Sequence, residues 1–468
     1  MALVSRTKLE RFSYLQSMSL KNKLGPFDFT MIVIGLVIGM GIFRTAKDAA
    51  GAAINPTIYF GAWIVGGFVA LCGALTYAEI GSRYPVTGGY YKVFSYAYHP
   101  SIAFGLNSSI LISNAASVSG VALIGAGYIT KVFFGDAGTD VVKVLIAIAA
   151  IFIFYGVNLL GLKMSAKTQS ILMLIKIGMI LLLIAALFFP AAYNNNSSAT
   201  IANEAISWKN WIRSFGITLI AVSFTYGGYQ QTINFGREVD KANKNIPRSI
   251  FIGIAVIIIL YLTVNIAYYK IVGFNNMKTT GEIASVVVGK MFGAAGANFF
   301  SGLLFLSVLA YVNVSLMSNP RVVYAMSEDG VFPKLFQRKN EKRDVLTVSL
   351  TVFSIVCIIV LFFADTFEKI LSFSIFLDSF GMATSAGTIF ILRKRTRELD
   401  NTGIYKMKLF PLQPVIFIVA YVFVCTSIIF NTPFIALTGA SVLLGFTLIY
   451  FIIRFFSKKN HHVISKSK

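Results

Sequence analysis

Apolar residues in this chain run in long unbroken stretches separated by short polar gaps. A helix crossing a bilayer needs about 20 such residues at 1.5 Å of rise each. Stretches of that kind fall at roughly 28–52, 57–80, 101–133, 140–160, 168–190, 212–236, 249–273, 294–326, 345–364, 369–392, 412–431 and 434–456. These twelve predicted spans are even in number, so both termini are expected on one side. Residues 279–292 are too short to span. Their Ile283, Val286, Val287 and Met291 recur at helical spacing, which predicts a helix lying along the outer surface. Segment 191–208 is polar and reads as an external loop, and no gap is long enough for a sizeable soluble domain.

Composition agrees: 56% of the 468 residues are hydrophobic and 13% charged, against about 45–50% and 25% in soluble domains. The net charge of +22 raises the question of nucleic acid, but the basic residues form no Arg-rich stripe and gather between the spans. With the N-terminus inside, the inner segments hold 30 of the 41 Lys and Arg, the outer loops hold 10, and Lys176 lies within a span. The positive-inside rule therefore predicts cytoplasmic termini and no nucleic-acid partner. The first 25 residues lack an apolar core segment and read as a cytosolic arm, not a cleaved signal peptide. Cys72, Cys357 and Cys425 each sit in an apolar run, and the three His lie in loops or the tail. Neither disulfides nor a metal site is expected.

Two spans carry glycine interruptions: Gly35, Gly39 and Gly41 in the first, Gly227-Gly228 in the sixth. They stand five helices apart, as corresponding members of two halves would, and such paired breaks point to a transporter site. Broken helices are tolerated at membrane depth only where they line a cavity. At Ile38-Gly39-Met40-Gly41 the free N–H groups of the restarting helix favour a carboxylate. At the sixth-span break, freed carbonyls of Ser223, Phe224 and Tyr226 can accept from an ammonium. The pair makes a backbone clamp for a zwitterion. The competing account, that these glycines serve close helix packing, fits Gly35 with Gly39 equally well.

Four segments then carry a family likeness: VIGMGIF (37–43), YAEIGSRYPVTGGYYKV (77–93), FTYGGYQQTINFGREVDKANKNIPRSI (224–250) and NVSLMSNPRVVYAMSEDGVFPK (313–334). In this order they resemble the amino acid–polyamine–organocation superfamily, and within it the L-type amino acid transporter branch, over residues 27–456. The resemblance implies an all-α membrane protein of the LeuT type, with 12 transmembrane helices, a 5+5 inverted repeat plus two C-terminal helices, and helices 1 and 6 broken. The parts would be an arm (1–26), a first repeat (27–190), an external loop (191–210), a second repeat (211–392), helices 11 and 12 (393–457) and a cytosolic tail (458–468). It also implies alternating access and an α-amino acid substrate. Phe224 matches the family's aromatic gate. Lys176 matches a fifth-helix lysine that takes the place of a sodium ion in sodium-independent members, and Ser307 faces the same space.

There are departures. Met40 replaces the usual Ser or Thr, and Pro320 stands where a small or polar residue is usual, predicting a kink near the inner end of helix 8. The loop after helix 3, KVFFGDAGTD, has no Cys, so no disulfide-linked heavy subunit is expected. Among ionisable residues, Lys176 lies mid-span, too deep to snorkel. Asp378 is similarly central and reads either as a proton site or as a neutral hydrogen-bonded acid. Glu79 and Glu238 fall at inner helix ends, either paired with loop arginines such as Arg83 as an inner gate or simply solvated. Asn114, Ser117, Gly227 and Gly228 are candidate neighbours of the substrate side chain. No acid is evident beside the clamp, which favours small or medium neutral amino acids.

The expectation is a sodium-independent secondary amino acid transporter in the inner membrane, an exchanger or a proton-coupled symporter, not an enzyme, and needing no cofactor. Alternatives are a transporter-like amino acid sensor and a permease for cationic amino acids or polyamines. A channel lacks a pore-loop sequence, and an intramembrane enzyme lacks a nucleophile–base pair.

Overall fold

The computed structural model describes residues 23–39, 41–135, 138–190, 207–362, 364–397 and 403–466. Met40, the arm up to residue 22 and most of the predicted external loop lie outside these. The described residues are helical almost throughout: α1 (Pro26–Val37), α2 (Gly41–Ala52), α3 (Pro56–Arg83), α4 (Gly89–Ala97), α5 (Pro100–Phe134), α6 (Asp140–Leu159), α7 (Leu162–Ala185), α8 (Trp208–Tyr226), α9 (Ala242–Val272), α10 (Ile283–Glu328), α11 (Thr347–Leu361), α12 (Ala364–Arg395), α13 (Leu412–Asn431) and α14 (Pro433–Lys466). Helix starts follow ordinary chemistry. Pro56 and Pro100 occupy first-turn positions that need no N–H, while Asn55 Oδ1 accepts from Ile58 N at 2.9 Å.

Nine helical stretches among the described residues are long and apolar enough to cross a bilayer, and α1 and α11 are shorter apolar helices. The chain thus has the make-up of a multi-pass membrane protein. Large apolar side chains such as Leu145, Phe152, Ile153, Leu437, Leu444 and Leu448 stand exposed on α6 and α14. Water would not tolerate so continuous an apolar surface; hydrocarbon does. Inside, α9 packs on α3 and α1, and α10 packs on α5 and α7, enclosing the first and eighth helices.

Three predicted spans differ from continuous helices. The first divides into α1 and α2 around Ile38-Gly39. The sixth stops at Tyr226 and continues after Gly227-Gly228 as one 3-10 stretch, Tyr229–Asn234. Here Gly228 takes φ +110°, which side chains rarely adopt. The ninth starts at Thr347, because Val345 is held in a backbone pairing with Asn340. The expected surface helix is the first part of α10, with Ile283 and Val287 buried, and it ends where Gly293 leaves helical geometry at φ 71°. Pro320 does not break α10: the backbone stays helical there. Proline removes the N–H that the Leu316 carbonyl would have accepted. The flanking carbonyls are taken by side chains, Ser315 O by Asn319 Nδ2 and Met317 O by Arg321 Nη1.

Candidate functional site

The two breaks meet backbone to backbone. A methyl built on Gly228 would stand 2.1 Å from the Leu36 carbonyl oxygen, and one on Gly41 would stand 2.9 Å from Thr225 Cγ2. Close approach therefore calls for glycine at both positions, and at Gly228 the φ of +110° does so as well. At the end of α1, Ile38 N donates to Ile34 O (2.7 Å) and Gly39 N to Val37 O (2.8 Å), which closes the helix one turn early. The N–H groups of Gly41, Ile42 and Phe43, in the first turn of α2, have no helical partner behind them. The carbonyls freed at the break are drawn outward. Tyr261 Oη on α9 donates to Val37 O at 3.4 Å, and Lys176 Nζ on α7 donates to Ile38 O at 2.6 Å. Lys176 is wholly buried, so this charge-assisted bond forms away from water, where it is strongest. Ser307 is also buried, but its hydroxyl has no hydrogen-bond partner. No bond joins it to Lys176.

On the α8 side, Phe224 is 39% exposed, unusual for a phenyl ring in the interior of a chain. Its carbonyl accepts from Gly227 N at 3.2 Å, so of the three carbonyls expected to be free, this one has a partner. Ser223 is half-buried. Tyr226 turns its ring into the core, with Oη reaching Trp63 O at 3.4 Å. Asn114 Nδ2 donates to Asn319 Oδ1 at 2.6 Å, tying α5 to α10. Ser117 is half-buried and faces Tyr311, whose ring passes 3.7 Å from the place a Gly39 methyl would occupy.

Below the breaks lies a layer of buried ion pairs. Glu79 is fully buried and accepts from Arg83 Nε (2.6 Å), Arg393 Nε (2.7 Å), Arg393 Nη2 (2.6 Å) and Met407 N (2.8 Å). Arg393 also covers the Phe410 ring, 3.7 Å from its centroid. Glu238 accepts from Arg321 Nε at 3.1 Å and Thr87 Oγ1 at 3.3 Å, and Arg321 lies 4.3 Å over Phe235. Leu24 joins this layer by backbone, with N donating to Glu238 O (2.7 Å) and O accepting from Asp240 N (3.0 Å). Of the two readings of Glu79 and Glu238, pairing is the one found. Arg321, Arg393 and Tyr311 were not singled out from sequence. Nothing in their spacing marks them, because their partners come from helices far away in the chain.

A bundle with two breaks back to back, a buried ammonium on one of them and an ion-pair layer beneath is the architecture of a membrane carrier. The chain matches the amino acid permease family over residues 24–457, and it belongs to that family, within the amino acid–polyamine–organocation superfamily. Among its relatives, the serine/threonine exchanger SteT of Bacillus subtilis is 27% identical over 429 residues, covering 91% of this chain and 95% of the relative. The branched-chain amino acid permease BcaP of the same organism is 27% identical over 483 residues (94% and 95%). The b(0,+)-type amino acid transporter 1 of Mus musculus is 25% identical over 431 residues (90% and 85%). The chain is a transporter, not an enzyme.

Proposed function

We propose that this permease is a sodium-independent secondary transporter of small or medium neutral L-amino acids. It works by alternating access through twelve membrane crossings arranged as a 5+5 inverted repeat plus two, with both termini cytoplasmic. The observation that carries the reading is the Lys176 bond to Ile38 O inside the first break. A fixed ammonium on that carbonyl occupies oxygen a sodium ion would need. The substrate carboxylate docks on the free N–H groups that open α2, and its ammonium on carbonyls at the end of α8. Phe224, accessible now, closes over the bound zwitterion and excludes water. The Glu79 and Glu238 pairs hold the opposite face shut and part in the second half of the cycle.

The matching relatives include an exchanger and a permease, in keeping with an amino acid cargo. Lys176 acts either as a permanent tether, giving exchange, or as a proton carrier, giving symport. Uptake of twenty radiolabelled amino acids into proteoliposomes tests the whole reading. Preloading with cold substrate reveals exchange, and an imposed pH gradient reveals symport. Uptake that requires sodium overturns it.

A further inference from the structure

Asp378 is left over from this account. It lies on α12 within the apolar span Ile375–Arg395, is half-buried, and has no hydrogen bond or ion pair to any described residue. An acid at such depth is costly and by default marks a site. The groups around it are phenols: Tyr90 on α4, Tyr311 on α10 and Tyr421 on α13 all interact with it. Tyr311 is the ring lying 3.7 Å from the Gly39 methyl position and also faces Ser117, so a ring at the first break lies within reach of the Asp378 charge.

The rest of the same helix face leads to the second break. Asp378, Gly381 and Ser385 sit at positions i, i+3 and i+7, one stripe of α12. A methyl on Gly381 would stand 3.0 Å from Tyr90 Oη, and Ser385 Oγ is hydrogen-bonded to Tyr77 Oη. The Tyr77 ring meets Tyr229 edge-on at 5.8 Å, and Tyr229 follows Gly228 directly. The stripe thus leads by contact to the second break and carries one carboxyl with unused hydrogen-bonding capacity. Sequence alone had suggested no acid beside the clamp.

We infer that Asp378 is the polar end of a side-chain subsite, where it accepts a hydrogen bond from a donor at the tip of a short substrate side chain. The substrate class is a small neutral L-amino acid whose side chain ends in a hydroxyl. This rests on the transport reading above and refines it. A buried acceptor left unpaired by an apolar side chain discriminates against it.

The test is competition uptake by the full chain in proteoliposomes, using the matched pairs threonine/valine and serine/alanine. Wild type should favour the donor member of at least one pair by about 10-fold or more, the scale of one unpaired buried acceptor. Asp378→Ala should bring that ratio close to one while alanine uptake persists, which also shows that the variant is folded. Asp378→Asn keeps the shape and one accepting oxygen, so it should retain a hydroxyl preference. Unchanged ratios in both variants overturn the subsite. Loss of pH-driven accumulation with unchanged ratios also overturns it, assigning Asp378 to proton coupling. Wild type that takes up no amino acid at all overturns the transport reading itself, whereas normal uptake with indifferent ratios overturns the Asp378 assignment alone.

Discussion

Replacing Lys176 by alanine tests the centre of the proposal. In the folded chain its ammonium donates to Ile38 O at 2.6 Å with no water around it. A sodium ion placed on the same carbonyl would stand ~4 Å from that ammonium. Two unit charges at this distance repel by about 4 kcal/mol at an effective dielectric near 20. At about 1.4 kcal/mol per factor of ten, sodium affinity at the break falls by nearly three powers of ten while the lysine is charged. Lys176→Ala removes the repulsion and also a charge-assisted bond worth about 1.5–3 kcal/mol, leaving the Ile38 carbonyl to seek another partner. The assay compares wild type and Lys176→Ala in sodium chloride and in choline chloride. Thermal stability of the purified protein and initial uptake rates in proteoliposomes are both measured. Wild type should show no sodium-specific shift and no sodium-dependent rate. The variant should transport at least about tenfold more slowly, with any sodium-specific stabilisation appearing only in it. Lys176→Met, which keeps the bulk without the charge, should behave as the alanine variant does. Steep sodium dependence in wild type refutes the reasoning, as does normal transport by both variants.

Three further outcomes are expected. Gly41→Val should abolish uptake, since even a methyl there meets Thr225 Cγ2 at 2.9 Å, whereas Met40→Ser should transport normally; measured rates for both decide whether the first break is the carboxylate site. Phe224→Ala should depress uptake severalfold or more with little change in unfolding temperature, because the ring is 39% exposed and contributes little to packing; unchanged rates would remove it as a gate. Arg321→Ala strips the Glu238 carboxylate of its guanidinium partner and leaves a buried charge uncompensated. The cost should be about 3–5 kcal/mol to the closed inner face, read as faster labelling of an inner-face cysteine probe.

Much of the helical layout was legible because apolar length alone marks a bilayer crossing. The glycine pairs also located both breaks. That Gly228 abuts Leu36 was not legible, nor that Ile38 O is the carbonyl Lys176 chooses, because contacts between distant helices leave no spacing signal. Asn114 shows the limit plainly. A mid-helix amide reads as a ligand group, and its bond to Asn319 is a second task that spacing does not reveal. Pro320 sits within continuous helix, and that side chains take the carbonyls on either side of Leu316 O was not legible either. Tyr311 and Asp378 stand 67 residues apart in sequence, and their interaction appears only once α10 and α12 are set around a common space.

The pairing of Leu24 with the segment around Glu238 bears on the timing of turnover. A face shut by two backbone bonds, by the Arg321–Glu238 pair and by the fourfold-held Glu79 opens only when several interactions yield together. Each is worth about 1 kcal/mol or more, so the empty carrier meets a barrier of several kcal/mol on every return. Bound cargo offsets that barrier through its own contacts. Under the exchange branch of the proposal, a carrier held this way would move readily when loaded and idle when vacant.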